Sequence, residues 1–323
     1  YESSYDPTLT EFELPRRHYS KFEAQLIGSM IKHNKFIRQV DLPSSSETSI
    51  SKCEMLDILE GVAANKGITC LKIQNVTGTE PNKMAYAILE TMDHLQELHL
   101  IIDSHWGYDM LNPKFPITRI SIKYHWNMKT PEMLELMLEL PNLNRLSLWS
   151  DVLHPLAEQH LKAIVPRLRH LKLSFDRNPT SDLLMFILTQ SHLSHLSLHP
   201  SYRHDHHPIR DSESILEALA GNTSLEEFQD FGVVDATNDV DVVIKIIERN
   251  TTLRSLMLCL EPTPEERQRI MAALIVNSTL YSFVCMRANG HMNTDVLTDI
   301  GERNELNDSI RDRTLVEWLL PVM

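Results

Sequence analysis

Glycine and cysteine are scarce in this chain of 323 residues, which has nine glycines and four cysteines. So few glycines leave no Gly-rich loop to cradle a nucleotide phosphate, and neither GxGxxG nor GxxxxGK[ST] occurs. GxSxG and HExxH are also missing, so neither the hydrolase nucleophile elbow nor the two-histidine zinc helix is present. Cys53, Cys70, Cys259 and Cys285 fit no CxxC spacing, and their small number favours a reducing compartment. No apolar run reaches the roughly 18 residues a membrane span requires. No signal-peptide pattern opens the chain, so the expected location is the cytoplasm, with the nucleus second. Basic side chains are outnumbered 31 to 44, and a net charge of −13 with pI near 5.6 disfavours nucleic acid as a partner.

What the chain has instead is repetition. An aliphatic residue, two variable residues, an apolar one, one variable and usually another apolar one recur ten times. The clearest copies are Leu95-Leu98-Leu100, Leu143-Leu146-Leu148, Leu168-Leu171-Leu173, Leu193-Leu196-Leu198 and Leu253-Leu256-Leu258. Weaker ones begin at Ile37, Ile68, Ile117, Leu225 and Leu280, and the starts lie 22 to 32 residues apart. Alternating apolar and polar residues inside each phrase predict a short half-buried strand. Helical patterns lie between phrases, as in Met133-Leu134-Met137-Leu138, Leu183-Leu184-Ile187-Leu188 and Val243-Ile244-Ile246-Ile247. Pro113, Pro116, Pro131, Pro155, Pro179, Pro208, Pro262 and Pro264 precede or open these helices, where proline is tolerated. Asn222, Asn250 and Asn277 follow helices, where a left-handed residue is expected to close the last turn.

A period of this length predicts a solenoid, each unit burying its face against the next. Strands stack about 4.8 Å apart and packed helices about 8–10 Å, so the expected shape is a horseshoe with a concave parallel sheet. The expected organisation is a single solenoid over residues 1–323. Residues 1–36 are read as an N-terminal helical cap with Phe22, Leu26, Ile27, Met30 and Ile31 as its apolar stripe. Residues 37–286 hold about ten strand–helix repeats, and residues 287–323, with Trp318, form a C-terminal helical cap. The stretch from Pro43 to Ser49 reads as a flexible loop.

The phrase resembles the leucine-rich repeat. The repeat length and the turns Asn222-Thr223-Ser224-Leu225, Asn250-Thr251-Thr252-Leu253 and Asn277-Ser278-Thr279-Leu280 look like the ribonuclease-inhibitor and F-box branches of that superfamily. The resemblance runs from about Ile37 to Met286 and implies an α/β recognition scaffold. It does not name a partner, because the superfamily changes its surface side chains while keeping its core. Three of the five N-x-S/T sequons (Asn75, Asn222, Asn250, Asn277, Asn307) are the repeat turn itself, so they do not argue for secretion.

The surface departs from a generic one in the middle of the chain. Residues 1–94 carry a net charge of −3, residues 95–210 of +1 and residues 211–323 of −11. The central stretch holds 12 of the 16 histidines and three of the four tryptophans, which singles it out as the candidate site. Strand periodicity places Arg119, Ser121, Lys123; Arg145, Ser147, Trp149; His170, Lys172, Ser174; and His195, Ser197, His199 on the concave face. Laterally these form a row Arg119–Arg145–His170–His195 and a row Lys123–Trp149–Ser174–His199, with Glu97 and His99 alongside. Loops after the strands add Trp106, Tyr108, Tyr124, Trp126, Tyr202 and Arg203, residue types that dominate binding hot spots. The alternative is that these aromatics pack between loops as a secondary core. His204-Asp205-His206-His207, with His199, offers metal donors or a pH-sensitive contact, but no ligand spacing completes a tetrahedral site. Glu226, Glu227, Asp230, Asp235, Asp239 and Asp241 read as a solvated acidic face, or else a docking site for a basic surface.

No residue set pairs a nucleophile with a base, so no enzyme activity, cofactor or metal is expected. The expected function is capture of a protein or peptide ligand, acidic or phosphorylated, as an adaptor, scaffold or ubiquitin-ligase substrate arm. No F-box is visible in the chain. Regulation of a small GTPase and binding of a small acidic ligand are the alternatives.

Overall fold

Each of the ten phrases becomes a strand that begins two residues after the phrase does. The computed structural model describes residues 10–14, 19–42, 52–74, 91–102, 117–124, 134–135, 137–150, 155–175, 179–200, 209, 211–234, 236, 238–260 and 262–286. Among them, β2 to β11 are Gln39–Leu42, Cys70–Gln74, Glu97–Ile102, Arg119–Tyr124, Arg145–Ser150, His170–Phe175, His195–Pro200, Glu227–Asp230, Ser255–Cys259 and Ser282–Met286. The offset follows from the phrase. Its first aliphatic residue is a buried anchor in the turn, and the strand ladder starts once the chain has straightened.

An additional strand, β1 (Glu11–Glu13), precedes these. It pairs parallel to β2 with Phe12 opposite Val40, so the segment read as a helical cap begins as one more repeat. Leu9-Phe12-Leu14 carries the phrase spacing, 28 residues before Ile37, and was legible in principle.

The chain forms two compact units, residues 1–168 and 169–323. In the first, β1 to β6 pair in sequence order and all in parallel. In the second, β7 to β11 do the same. Parallel neighbours need a crossover between them, and helices provide it: α1 (Lys21–His33), α2 (Lys52–Ala64), α3 (Pro155–Ile164), α4 (Ser181–Leu188), α5 (Ser212–Gly221), α6 (Val240–Arg249) and α7 (Pro264–Val276). This is an α/β leucine-rich-repeat solenoid in each unit. Alternate strand residues such as Leu98, Ile120, Leu146, Leu171, Leu196, Phe228 and Leu256 are buried. Helix residues such as Leu161, Leu184, Leu216 and Ile246 are buried as well. On the other strand face Glu97, His99, Arg119, Arg145 and Lys172 reach solvent at least in part, whereas Ser174, Met257 and Cys259 are buried.

Helix starts follow local chemistry. Ser20 with Glu23 and Thr263 with Glu266 form capping boxes, and Thr180 caps α4 through Leu183 N–H. Pro155 and Pro264 open α3 and α7 as expected. Pro113, Pro116, Pro131, Pro208 and the loop from Pro43 to Ser49 lie outside the described residues, as does the C-terminal cap.

Helix ends differ from expectation. Asn222, Asn250 and Asn277 do not adopt the left-handed conformation; their φ,ψ values are −72°,133°, −76°,121° and −70°,126°. The side-chain amides close the helix ends instead. Asn250 Nδ2 donates to the carbonyls of Leu219 (3.1 Å) and Asn222 (2.9 Å), while its Oδ1 accepts from Thr252 N–H and Leu253 N–H. Asn222 and Asn277 repeat the arrangement, reaching Leu188 and Ile247 carbonyls. Asn65 does likewise towards Ile31 and Asn34, so an asparagine ladder stitches successive turns in each unit. Asn222 and Asn250 are buried, which rules them out as glycan acceptors in the folded chain.

The apolar stripe of α1 is buried only in part: Ile31 is buried and Ile27 half-buried as expected, but the rest of the stripe is not. Ala24, Gly28 and Ile31 are buried, whereas Phe22, Leu26 and Met30 are exposed. The reason is close approach of α1 and α2. A Cβ at Gly61 would sit 2.1 Å from the Gly28 carbonyl oxygen, so only the small-residue face fits inward.

Candidate functional site

The open sheet face of the first unit carries one lateral row of Cys70, Glu97, Arg119 and Arg145, set by strand register. A second row holds Lys72, His99, Ser121 and Ser147. Glu97 Oε2 lies 3.4 Å from Arg119 Nη1 and 3.6 Å from His99 Nε2, so one carboxylate serves two partners. Lys72 Nζ lies 4.0 Å from Asp41 Oδ2. Arg145 is exposed, stands next to another arginine, and has no acidic partner among the described residues.

Burial and the nearby Arg119 charge hold the His99 imidazole below its ordinary pKa. Burial, reinforced by the Glu97 carboxylate, pushes the Cys70 thiol up to about 11. The Cys70 Sγ, a Glu97 carboxylate oxygen and a His99 ring nitrogen all lie within 4.8 Å of one another.

In the second unit the open face of β7 to β9 holds a polar network. His170 and His195 are in register and stack with ring centroids 4.0 Å apart. Ser194 Oγ donates to the Arg169 carbonyl (3.0 Å) and lies 2.8 Å from His195 Nδ1. That hydroxyl's single proton is therefore committed, and Nδ1–H of His195 is the donor between them. His195 Nε2 lies 3.5 Å from Glu227 Oε2, and Glu227 also accepts from Gln229 Nε2. Ser197 Oγ donates to Gln229 Oε1 (3.3 Å) and accepts from His199 Nε2 at 2.8 Å. His199 stacks on Phe231, centroids 4.0 Å apart. Burial, with a smaller contribution from Lys172, lowers the His199 pKa to about 3, so this ring is a neutral packing element. Lys172 is exposed, and partial burial of its amine lowers its own pKa.

Of the residues singled out from sequence, Arg119 and Arg145 are lateral neighbours, as are Lys123 and Trp149, and His170 and His195. Tyr124 ends β5 opposite Ile102. Ser174 and His199 are in register, but they do not form an open row: Ser174 is buried and Phe231 covers His199. Trp106, Tyr108, Trp126, Tyr202, Arg203 and the His204–His207 run lie outside the described residues. Asp230, read as part of a solvated acidic face, is fully buried. Its carboxylate accepts from Val233 N–H (2.9 Å) and Val234 N–H (3.2 Å), around the turn that Gly232 makes at φ 109°. The Glu227, Gln229 and Phe231 partners and the Cys70–Glu97–His99 convergence were missed, because each needs cross-strand register that a single strand does not display.

No family model matches the chain, and no curated protein does. Among solved structures, an internalin from Listeria monocytogenes is similar at 12% identity and TM-score 0.41, covering 85% of this chain and 86% of that one. The repeat geometry itself shows the fold: successive parallel strands, each anchored by the L-x-x-L-x-L phrase and joined through helices. No helix among the described residues is long and apolar enough to cross a membrane. The fold is a solenoid of such strand–helix repeats in each unit.

Proposed function

We propose that the chain is a recognition module that captures an acidic or phosphorylated segment of a protein partner on its open sheet face. Arg145 carries the reading. Two guanidinium groups side by side on adjacent strands repel, and Glu97, the carboxylate paired with Arg119 among the described residues, is engaged by Arg119 and His99. An anion placed over Arg145 relieves that repulsion and matches the forked geometry of the guanidinium. Lys172 plays the corresponding part in the second unit: it is exposed, has no acidic partner among the described residues, and sits near a neutral His199. Lys123, Trp149, His170 and His195 extend these faces, and Trp106, Tyr108, Tyr124, Trp126, Tyr202 and Arg203 are assigned the hot-spot contacts. This surface binds rather than catalyses. Roles as adaptor, scaffold or ubiquitin-ligase substrate arm of the ribonuclease-inhibitor or F-box type are the forms such capture takes in the superfamily it resembles.

The test is affinity capture from lysate with wild-type protein beside an Arg119→Glu/Arg145→Glu/Trp149→Ala variant, read by mass spectrometry. A partner lost only from the variant, and displaced by an acidic peptide drawn from its sequence, is expected. Equal capture by both proteins refutes the reading. Ligase subunits among the captured proteins would support the substrate-arm form.

A further inference from the structure

Cys70, Glu97 and His99 bring a sulfur, an oxygen and a nitrogen donor to one spot. Register fixes this: Cys70 faces Glu97 across β3 and β4, and His99 follows on the same face of β4. The three donor atoms lie within 4.8 Å of one another, and His99 Nε2 is 3.6 Å from Glu97 Oε2. Donors bound tetrahedrally at about 2.0–2.3 Å sit roughly 3.3–3.8 Å apart, so ordinary side-chain rotation closes the set around an ion. We propose that Cys70, Glu97 and His99 bind one zinc ion on the open face of β3 and β4, leaving the fourth coordination position to water.

The donor chemistry selects the metal. Thiolate and imidazole suit zinc, whereas magnesium and calcium require oxygen ligands. Thiolate and carboxylate together cancel the dication's charge, which matters beside the Arg119 and Lys72 cations. The His99 Nε2 already lies 3.6 Å from Glu97 Oε2, so the ring nitrogen stands beside the carboxylate donor. Cys70 releases its proton to solvent as the sulfur takes the metal. Glu97 turns from Arg119 towards the ion, a small movement because both partners compete for the same Oε2. The donors sit on paired strands of the sheet, a rigid platform for such a site. The site stands independently of partner capture, which rests on Arg145 and Lys172.

The experiment uses the full chain, stripped with a chelator and dialysed. Zinc is titrated by calorimetry, and cobalt(II) serves as the spectroscopic probe. One zinc per chain and a near-ultraviolet thiolate-to-cobalt absorption are expected. Cys70→Ser abolishes that absorption and weakens zinc at least about 100-fold, beyond the roughly 10–100-fold that loss of a mere outer-shell partner costs. Cys285→Ser, on β11, leaves both unchanged. His99→Gln, a near-isosteric change at a position that is not fully buried, weakens zinc similarly and keeps the test valid if Cys70→Ser does not fold. No zinc uptake by wild type overturns the proposal. So does an absorption that survives Cys70→Ser, or an affinity that His99→Gln leaves unchanged.

Discussion

Replacing Asn250 with alanine tests the asparagine ladder directly. The side chain is buried, and its amide satisfies four backbone groups: the carbonyls of Leu219 and Asn222 and the N–H groups of Thr252 and Leu253. A net contribution of about 1 kcal/mol per bond gives a loss of about 4 kcal/mol. Fully desolvated orphans would push the loss higher, since each costs about 1–3 kcal/mol. Urea unfolding followed by far-ultraviolet circular dichroism reads the change as a shifted midpoint. Thr251→Ala, one residue along and exposed, is the control and should stay within about 0.5 kcal/mol of wild type. Asn250→Asp sharpens the reasoning. It keeps the acceptor that Thr252 and Leu253 need but turns an oxygen, in place of the amide nitrogen, towards two carbonyls. Its carboxyl pKa therefore rises in the folded state, and its deficit should shrink as pH falls towards 5. An Asn250→Ala variant as stable as the Thr251 control would refute the ladder as the element that joins the turns.

Other outcomes follow from the same structure. Gly61→Ala, which in a free helix would stabilise by about 0.5–1 kcal/mol, should destabilise by about 1–3 kcal/mol, because its Cβ would press 2.1 Å from the Gly28 carbonyl oxygen; a raised thermal midpoint would contradict this. His199 has a folded pKa of about 3 against an ordinary 6.5, so the unfolded chain binds a proton there that the folded chain refuses. Its contribution to stability is thus full above pH 6.5 and is lost as pH falls from there towards 3. His199→Phe, which keeps the stack on Phe231, should flatten the decline in unfolding free energy between pH 7 and 5, and an unchanged slope would argue against it.

Most of the repeat architecture was legible from the chain. Every phrase start from Ile37 to Leu280 predicts its strand, because an aliphatic anchor and period-2 alternation are local properties. Arg119 and Arg145 fall in register as the spacing implied. Legibility ended where two elements had to meet. The stripe Phe22, Leu26, Ile27, Met30 and Ile31 looked like the buried face of α1; Ile31 is buried, but the close glycine contact with α2 brings Ala24 and Gly28 inward and leaves Phe22, Leu26 and Met30 exposed. Asp230 looked like surface acid, yet Val233 and Val234 amides hold it inside. Ser174 looked open and is buried.

Sequence alone therefore determined the repeat, its strand and helix types, and the residue types offered on the open face, since each depends on neighbours a few positions away. Tertiary structure decided which donors converge. Cys70 and His99 stand 29 positions apart, and only the parallel register of β3 with β4 places them around one point. It also decided which cations keep an acidic partner: Arg119 gains Glu97 from the neighbouring strand, while Arg145, one strand further on, meets another arginine. A charge is a property of a residue, but its compensation depends on the fold around it.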